Sequence, residues 1–407
     1  PADPAHTFCA LTFCALIKQH FPNIHVTIGG NTVTRLRDTL PQSPLFASFD
    51  SAVFYEGETA FLQLVEAVGA GRSLKDVPNA LYRDASGVHT SALTYSENME
   101  ALPPPDFEGL PLDKYFLPDK ILPYLATRGC YWGRREFCDH GEGYTAGYRT
   151  KKIQQILDEI QYLRDKYRAR HFHFTDESYP PALFRKLCRG LIERDMDIVW
   201  TTHMRYEKSL LDEPVWEDAK HAGCKYLHVG YESGNERVLK LMDKATTTEV
   251  ITRSLQLSAK AGIWNHAMGF FGFPGETREE ALDSIQFLAK NKDIVHSVGF
   301  GTFDLSRHTP VAKNPEKWGV TAYVNPEWDL ALDYYYTVKE GLSIEEAERV
   351  FEEFEQNHPS NWDLRLFIRE YIFLYIARFG LGKLPDLQFN AAKTGNGARP
   401  SLEAKVC

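Results

Sequence analysis

The stretch Ala126-Thr-Arg-Gly-Cys-Tyr-Trp-Gly-Arg-Arg-Glu-Phe-Cys-Asp-His-Gly141 decides how this chain is read. It puts Cys130 and Cys138 in one loop directly after an apolar run, residues 121–127, that reads as a strand. Two thiols at this separation are compatible with a shared metal, a disulfide or two unrelated cysteines. Arg135 stands between them. A guanidinium stays protonated and has no acceptor lone pair, so it cannot ligate a metal.

Outward from that loop the sequence keeps a regular beat. Strand-like runs near 121–127, 171–176, 197–204, 225–232, 264–272 and 294–304 alternate with helical patterns, the first carrying Ile153, Ile156, Leu157, Ile160 and Leu163 at helical spacing. Thr277-Arg-Glu-Glu280 and Ser343-Ile-Glu-Glu346 are capping boxes that start helices. Six β/α units over residues 119–330 predict a partial (β/α)6, TIM-like barrel. Residues 1–75 read as a smaller α/β unit: a helix over 8–20, a strand Ile24–Ile28 ending in Gly29-Gly30, a strand near Ala52–Tyr55, then Glu56-Gly57-Glu58 and a helix. The proline-rich residues 76–118 read as a linker, and residues 331–407 as a helical region ending in a loose tail over 390–407.

In a parallel barrel, active-site groups come from strand ends and the loops after them. The second strand, His171-Phe-His-Phe-Thr-Asp-Glu-Ser178, puts His171, His173, Thr175 and Glu177 on one face, with Asp176 placed to cap the next helix. The third carries His203 near its end. The fourth ends in Gly230-Tyr-Glu-Ser-Gly234, where the carboxylate of Glu232, followed by Ser233, suits a ribose hydroxyl or an amino group. The fifth ends in Gly272-Phe-Pro-Gly-Glu-Thr277, where Gly272, Pro274 and Gly275 let the backbone pass close to a flat ligand.

Taken in order, the Arg-Gly-Cys-Tyr-Trp-Gly and Phe-Cys-Asp-His of the cysteine loop, the Phe-Thr-Asp-Glu, the Glu-Ser-Gly with its following Asn235–Lys244, and the Gly-Phe-Pro-Gly-Glu resemble the radical S-adenosylmethionine (radical SAM) superfamily, in the subgroup with an N-terminal cobalamin-binding domain. The resemblance covers most of residues 20–310. It implies a radical SAM barrel preceded by a truncated Rossmann-like cobalamin-binding domain, of which Gly29, Gly30 and the Glu-Gly-Glu match the second half. In the family three cysteines hold a [4Fe-4S] cluster whose open iron takes SAM. Cys130 and Cys138 match the first and last, and Arg135 stands at the middle one. The same resemblance places Tyr131, Glu177, Glu232, Ser233, Gly272, Pro274 and Gly275 near SAM, makes cobalamin a candidate cofactor, and implies an electron donor such as flavodoxin or ferredoxin. The substrate, small molecule or peptide, is not legible, and tails such as 331–407 are expected to cover the barrel mouth.

A net charge of −9 argues against a nucleic-acid-binding surface. No apolar run approaches the roughly 18 residues of a membrane span, and no secretory signal opens the chain. The chain starts at Pro1, which reads as a trimmed N-terminus. Seven cysteines without a short-domain disulfide pattern point to a reducing cytoplasm, and Cys188 and Cys224 read as packing residues. Three functions remain open: a cobalamin-associated radical SAM enzyme, a degenerate relative that binds without cluster chemistry, and a barrel metallohydrolase built on His171, His173, His203, His228 or His266.

Overall fold

A computed structural model of the chain describes residues 4–140, 147–323, 330–357 and 369–381. The N-terminal unit contains α1 (Pro4–His20), β1 (Thr27–Gly29), α2 (Asn31–Arg35), β2 (Ser51–Val53), α3 (Glu58–Gly69), β3 (Ala80–Asp84) and β4 (Gly87–Thr90). Its sheet runs β1-β2-β3-β4, the first pair parallel and the others antiparallel. Alternation sends Ala52 and Leu81 into a core with Leu11, Val33 and Phe46, while Val53, Ala80 and Tyr82 pack on Ala60 and Leu64 of α3. The linker expected over 76–118 is thus corrected: residues 80–90 are a hairpin of this sheet. Their strands are short and lie among turn residues, which hid the alternation of Leu81 and Tyr82. The loose tail expected over 390–407 lies outside the described residues.

The barrel is built from β5 (Ile121–Tyr124), a two-residue pair β6 (Thr127–Arg128) and β7 (Arg149–Thr150) framing the cysteine loop, α4 (Ile153–Tyr167), β8 (His171–Phe174), α5 (Pro181–Glu193), β9 (Val199–Met204), α6 (Glu213–His221), β10 (Cys224–Glu232), α7 (Glu236–Leu241), α8 (Thr248–Lys260), β11 (Trp264–Phe271), α9 (Arg278–Lys290) and β12 (Ser297–Thr302). Strands β5, β8, β9, β10, β11 and β12 lie side by side in chain order, all parallel. This is the arrangement the six-unit beat predicts. The outer faces, including Phe172, Phe174, Trp200, Leu227, Val229 and Phe271, share one core with the helices, among them Ile156, Leu187 and Leu255. Cys188 and Cys224 are buried in that core, as read. Both capping boxes form, Thr277 with Glu280 and Ser343 with Glu346.

Beyond the barrel come β13 (Leu305–Ser306), α10 (Pro310–Lys313), β14 (Val320–Tyr323), β15 (Asp333–Val338), α11 (Ile344–Asn357) and α12 (Arg369–Phe379). The helical region therefore opens with a strand that was not expected. The aromatic and β-branched run Asp333-Tyr-Tyr-Tyr-Thr-Val338 favours extended chain and pairs antiparallel with both β13 and β14. The expected cover over the mouth comes, among the described residues, from β15, whose Tyr334, Tyr336 and Val338 cluster with Phe137 of the cysteine loop and with Phe273 and Phe303 just beyond β11 and β12. Ile372, Phe373 and Ile376 of α12 pack on Val199, Tyr226 and Trp264, which lie in the amino-terminal halves of their strands, so α12 closes the end opposite the mouth. Helix α11 instead lies beside α9, with Ala347, Val350 and Phe354 in the main core. Among the described residues no helix is long and apolar enough to cross a membrane.

Candidate functional site

The cysteine loop is anchored before it begins. Asp176, wholly buried just past β8, accepts hydrogen bonds from the Thr127 amide and hydroxyl, both at 2.6 Å, and from the Ala126 amide at 3.4 Å. Burial still pushes its carboxyl up to about 7. Asp176 is therefore not the helix cap expected of it, a place taken by Pro180. Cys130 is buried, and burial raises the Cys138 thiol to about 11. Arg135 lies with them: its Nη2 donates to Cys130 Sγ at 3.0 Å, and its guanidinium sits 5.8 Å from the Phe137 ring centre. Burial disfavours that charge, but Cys138, Cys130 and Glu232 more than offset it and raise the pKa above the usual arginine value.

Glu232 closes the charge cluster. It ends β10 with a left-handed φ of 67° and accepts a hydrogen bond from Lys244 Nζ at 2.6 Å. Lys244 is fully buried, which pulls its ammonium down to about 8 despite Glu232. Gly230 makes the room: a Cβ there would stand 2.6 Å from Glu232 Oε1 and 2.9 Å from Lys244 Nζ. Tyr131 donates to Glu207 at 3.1 Å, and the guanidinium of Arg205 stacks 4.1 Å from the Trp132 ring centre. Sequence reasoning missed Arg205 and Lys244. Arg205 was within reach, because it continues the Thr201 and His203 face of β9. Lys244 gave no signal, since no spacing rule links it to Glu232.

The other expected ligand residues are packed as structure. Ser233 is buried, its hydroxyl 3.1 Å from that of Ser284. Gly272 and Gly275 have φ of 86° and 87°. A Cβ on Gly272 would meet Ala347 of α11 at 2.6 Å, and the Gly275 backbone backs against Gly341. With buried Pro274 they let the C-terminal segment approach. Glu276 in the same turn is buried and accepts from the Gly272 amide at 2.6 Å. Burial raises its carboxyl to about 7. A carboxyl raised in the folded state stabilises most below its unfolded pKa and loses that stability as pH rises towards 7. In Glu276→Gln, the drop in melting temperature between pH 4.5 and pH 8, followed by circular dichroism, is therefore expected to be smaller than in the natural chain.

The N-terminal unit meets the barrel at this loop. Buried Glu56 bonds Arg149, the Glu97 amide at 2.7 Å and Arg128 at 3.2 Å, and Glu58 bonds Arg128, so the Glu-Gly-Glu clamps both arms of the β6–β7 pair. Gly29 ends β1, and Gly30, at φ 103°, starts α2, whose Arg35 reaches Asp139 at 2.9 Å. Glu177 stands 3.1 Å from His140 Nε2, and burial lowers the pKa of that histidine. Between the two units opens a cleft of about 590 Å³ lined by Tyr55, Glu56, Glu58, Phe61, Arg128 and Glu177, among others. Among the histidines, His173, His203 and His228 converge inside the barrel, whereas His171 turns towards Asp119 and Phe373.

Comparison with known proteins agrees with this architecture. Residues 124–288 match the model of the radical SAM superfamily. An uncharacterized methyltransferase of Pyrococcus horikoshii is 29% identical over 302 residues, covering 72% of this chain and 63% of that protein. The anaerobic magnesium-protoporphyrin IX monomethyl ester cyclase of Rubrivivax gelatinosus is 30% identical over 278 residues, covering 65% of this chain and 48% of that protein. The chain thus spans between about half and under two thirds of these relatives. Among solved structures, the cobalamin-dependent S-adenosylmethionine radical enzyme OxsB, with aqua-cobalamin and SAM bound, superposes with a TM-score of 0.69 at 18% identity, covering 87% of this chain and 56% of that one. The radical SAM methyltransferase TsrM of Kitasatospora setae, with tryptophan and a SAM analogue bound, gives a TM-score of 0.63 at 17% identity, covering 77% and 63%. Residues 124–288 thus carry a radical SAM domain, and the fold of the chain is similar to that of the cobalamin-dependent enzyme OxsB and of TsrM.

A radical SAM domain implies SAM and a [4Fe-4S] cluster as the cofactors of that superfamily. The residues of this loop do not fit such a cluster: among the described residues two thiols lie here, and a buried guanidinium, which cannot ligate iron, is bonded to one of them.

Proposed function

We propose that this protein is a cobalamin-associated radical SAM family member of the methyltransferase type in which Arg135 has interrupted the cluster, leaving a cytoplasmic binding or scaffold protein. The family reaction is reductive cleavage of SAM with cobalamin-assisted methyl transfer to an unactivated carbon. What supports the degenerate reading is one observation, the 3.0 Å bond from Arg135 to Cys130 within a buried cluster that also holds Cys138 and Glu232. The guanidinium has carboxylate compensation from Glu232, so its presence between the thiols is not an accident of an exposed loop. The Glu-Gly-Glu that lines the cleft supports retention of a ligand pocket there, with SAM as the ligand favoured by family. The second reading, a working enzyme with its electron donor, draws on His140, which follows Cys138 closely and lies beside Glu177.

Anaerobic reconstitution of the natural chain and of Arg135→Cys with iron and sulfide separates the two. About four irons per chain and a SAM-perturbed paramagnetic resonance signal in the variant alone are the expected result. The same signal in the natural chain would overturn the degenerate reading in favour of the enzyme.

A further inference from the structure

Three adjacent strands each send a histidine to the barrel interior. By register His228 of β10 lies directly opposite His203 of β9, and His173 of β8 lies one inward position nearer the closed end, opposite Thr201. The ligand nitrogens of the three all fall within 4.8 Å of one another. Ring centres are 4.4 Å apart for His203 and His228, and 5.7 Å for each of these with His173. The rings are close to parallel, within 27°. Binding one ion therefore requires rotation about the Cβ–Cγ bonds, a broad and soft torsion in histidine. The trio is set apart from its neighbours: His266 is edge-on to His228 at 78° and held by the Ser297 hydroxyl at 2.8 Å.

We propose that His173, His203 and His228 form a second, three-histidine site for a zinc-class divalent ion in the barrel lumen, distinct from the cysteine loop. Imidazole suits zinc, cobalt and nickel, and three histidines leave a fourth position for water or a small ligand. The surroundings favour such a site. Apolar residues Ile372, Phe373 and Ile376 of α12 pack on Val199, Tyr226 and Trp264 at the closed end of the lumen. Thr201 shares this face of β9, 3% exposed, and among the described residues its hydroxyl has no partner, so it is available to a bound water. Arg205, the next residue on the inward face of β9 above His203, is engaged by the Lys244 carbonyl at 2.7 Å and the Trp132 ring, and the Lys244 ammonium near Gly230 is paired with Glu232.

The test uses cobalt(II) on the metal-free natural chain. One ion per chain is expected, with ligand-field absorption and no thiolate charge-transfer band, and the Cys130→Ser variant should bind equally well. His203→Asn and His228→Asn should weaken binding by about 100-fold or more, while His266→Asn, a change in the same lumen, should not. X-ray absorption on the natural chain should find only nitrogen and oxygen neighbours, a readout that needs no variant to fold. Sulfur ligation, no binding at micromolar cobalt, or undiminished binding by folded His203→Asn would each overturn the site. None of these outcomes depends on the iron–sulfide experiment, so the two proposals fail separately.

Discussion

Glu232→Gln is expected to lower the unfolding free energy by about 3–5 kcal/mol at pH 7, because it leaves two buried cations without their anion. Lys244 is fully buried at 2.6 Å from Glu232, and Arg135 draws part of its stabilisation from the same carboxylate. The two cations respond differently. Lys244, already pulled down to about 8, falls further in the variant and sheds its proton. Its unfolded pKa lies near 10.5, so between the folded value and 10.5 the unfolded state binds the extra proton and stability rises with pH. Arg135 has no such escape. The deficit of Glu232→Gln should therefore shrink at pH 9 but not vanish. Adding Lys244→Met should recover the lysine share already at pH 7. Urea denaturation of the natural chain, both single variants and the double variant at the two pH values checks this. A deficit below 1 kcal/mol at pH 7 would mean that the charge cluster carries little of the fold's stability.

The barrel was legible because its signal is repetitive. Six apolar runs separated by helical spacing leave little freedom, and parallel strands in chain order follow from them. The same cues failed where elements are short. The hairpin at 80–90 has strands of five and four residues among turn residues, and β15 is an aromatic strand in a chain region that otherwise turns helical. At the site, sequence order located the strand ends and hence Cys130, Cys138, Glu177 and Glu232. It could not say which groups meet. Ser233 points to Ser284, Gly272 makes way for Ala347, and Glu232 finds Lys244 twelve residues on. Pairings of this kind depend on loop paths, which periodicity does not encode. Histidines on neighbouring strands fared better. Period-two alternation put them on inward faces, and register alone then sorted His173, His203 and His228 from His171.

Asp176→Ala should cost about 3–4 kcal/mol near pH 5 and loosen the cysteine loop without touching it. The substitution removes the acceptor for the Thr127 amide and hydroxyl in a site with no exposure, and unsatisfied buried donors cost about 1–3 kcal/mol each, with a small cavity added. The pH dependence carries the sign. A carboxyl held near 7 in the fold against 3.8 when unfolded stabilises least once pH exceeds 7, where the buried charge must be borne. The deficit of the alanine variant should accordingly be smaller at pH 8 than at pH 5. Asp176→Asn, which keeps an acceptor for Thr127 and has no charge to bury, should lie between the natural chain and alanine at pH 5 and approach the natural chain at pH 8. Because Thr127 leads directly into the loop, alkylation of Cys130, buried at 5% exposure, should quicken in the alanine variant, read by mass spectrometry of the modified peptide. Unchanged Cys130 alkylation in a folded Asp176→Ala protein would show that the loop holds its shape through the Glu56, Arg128 and Arg149 clamp alone.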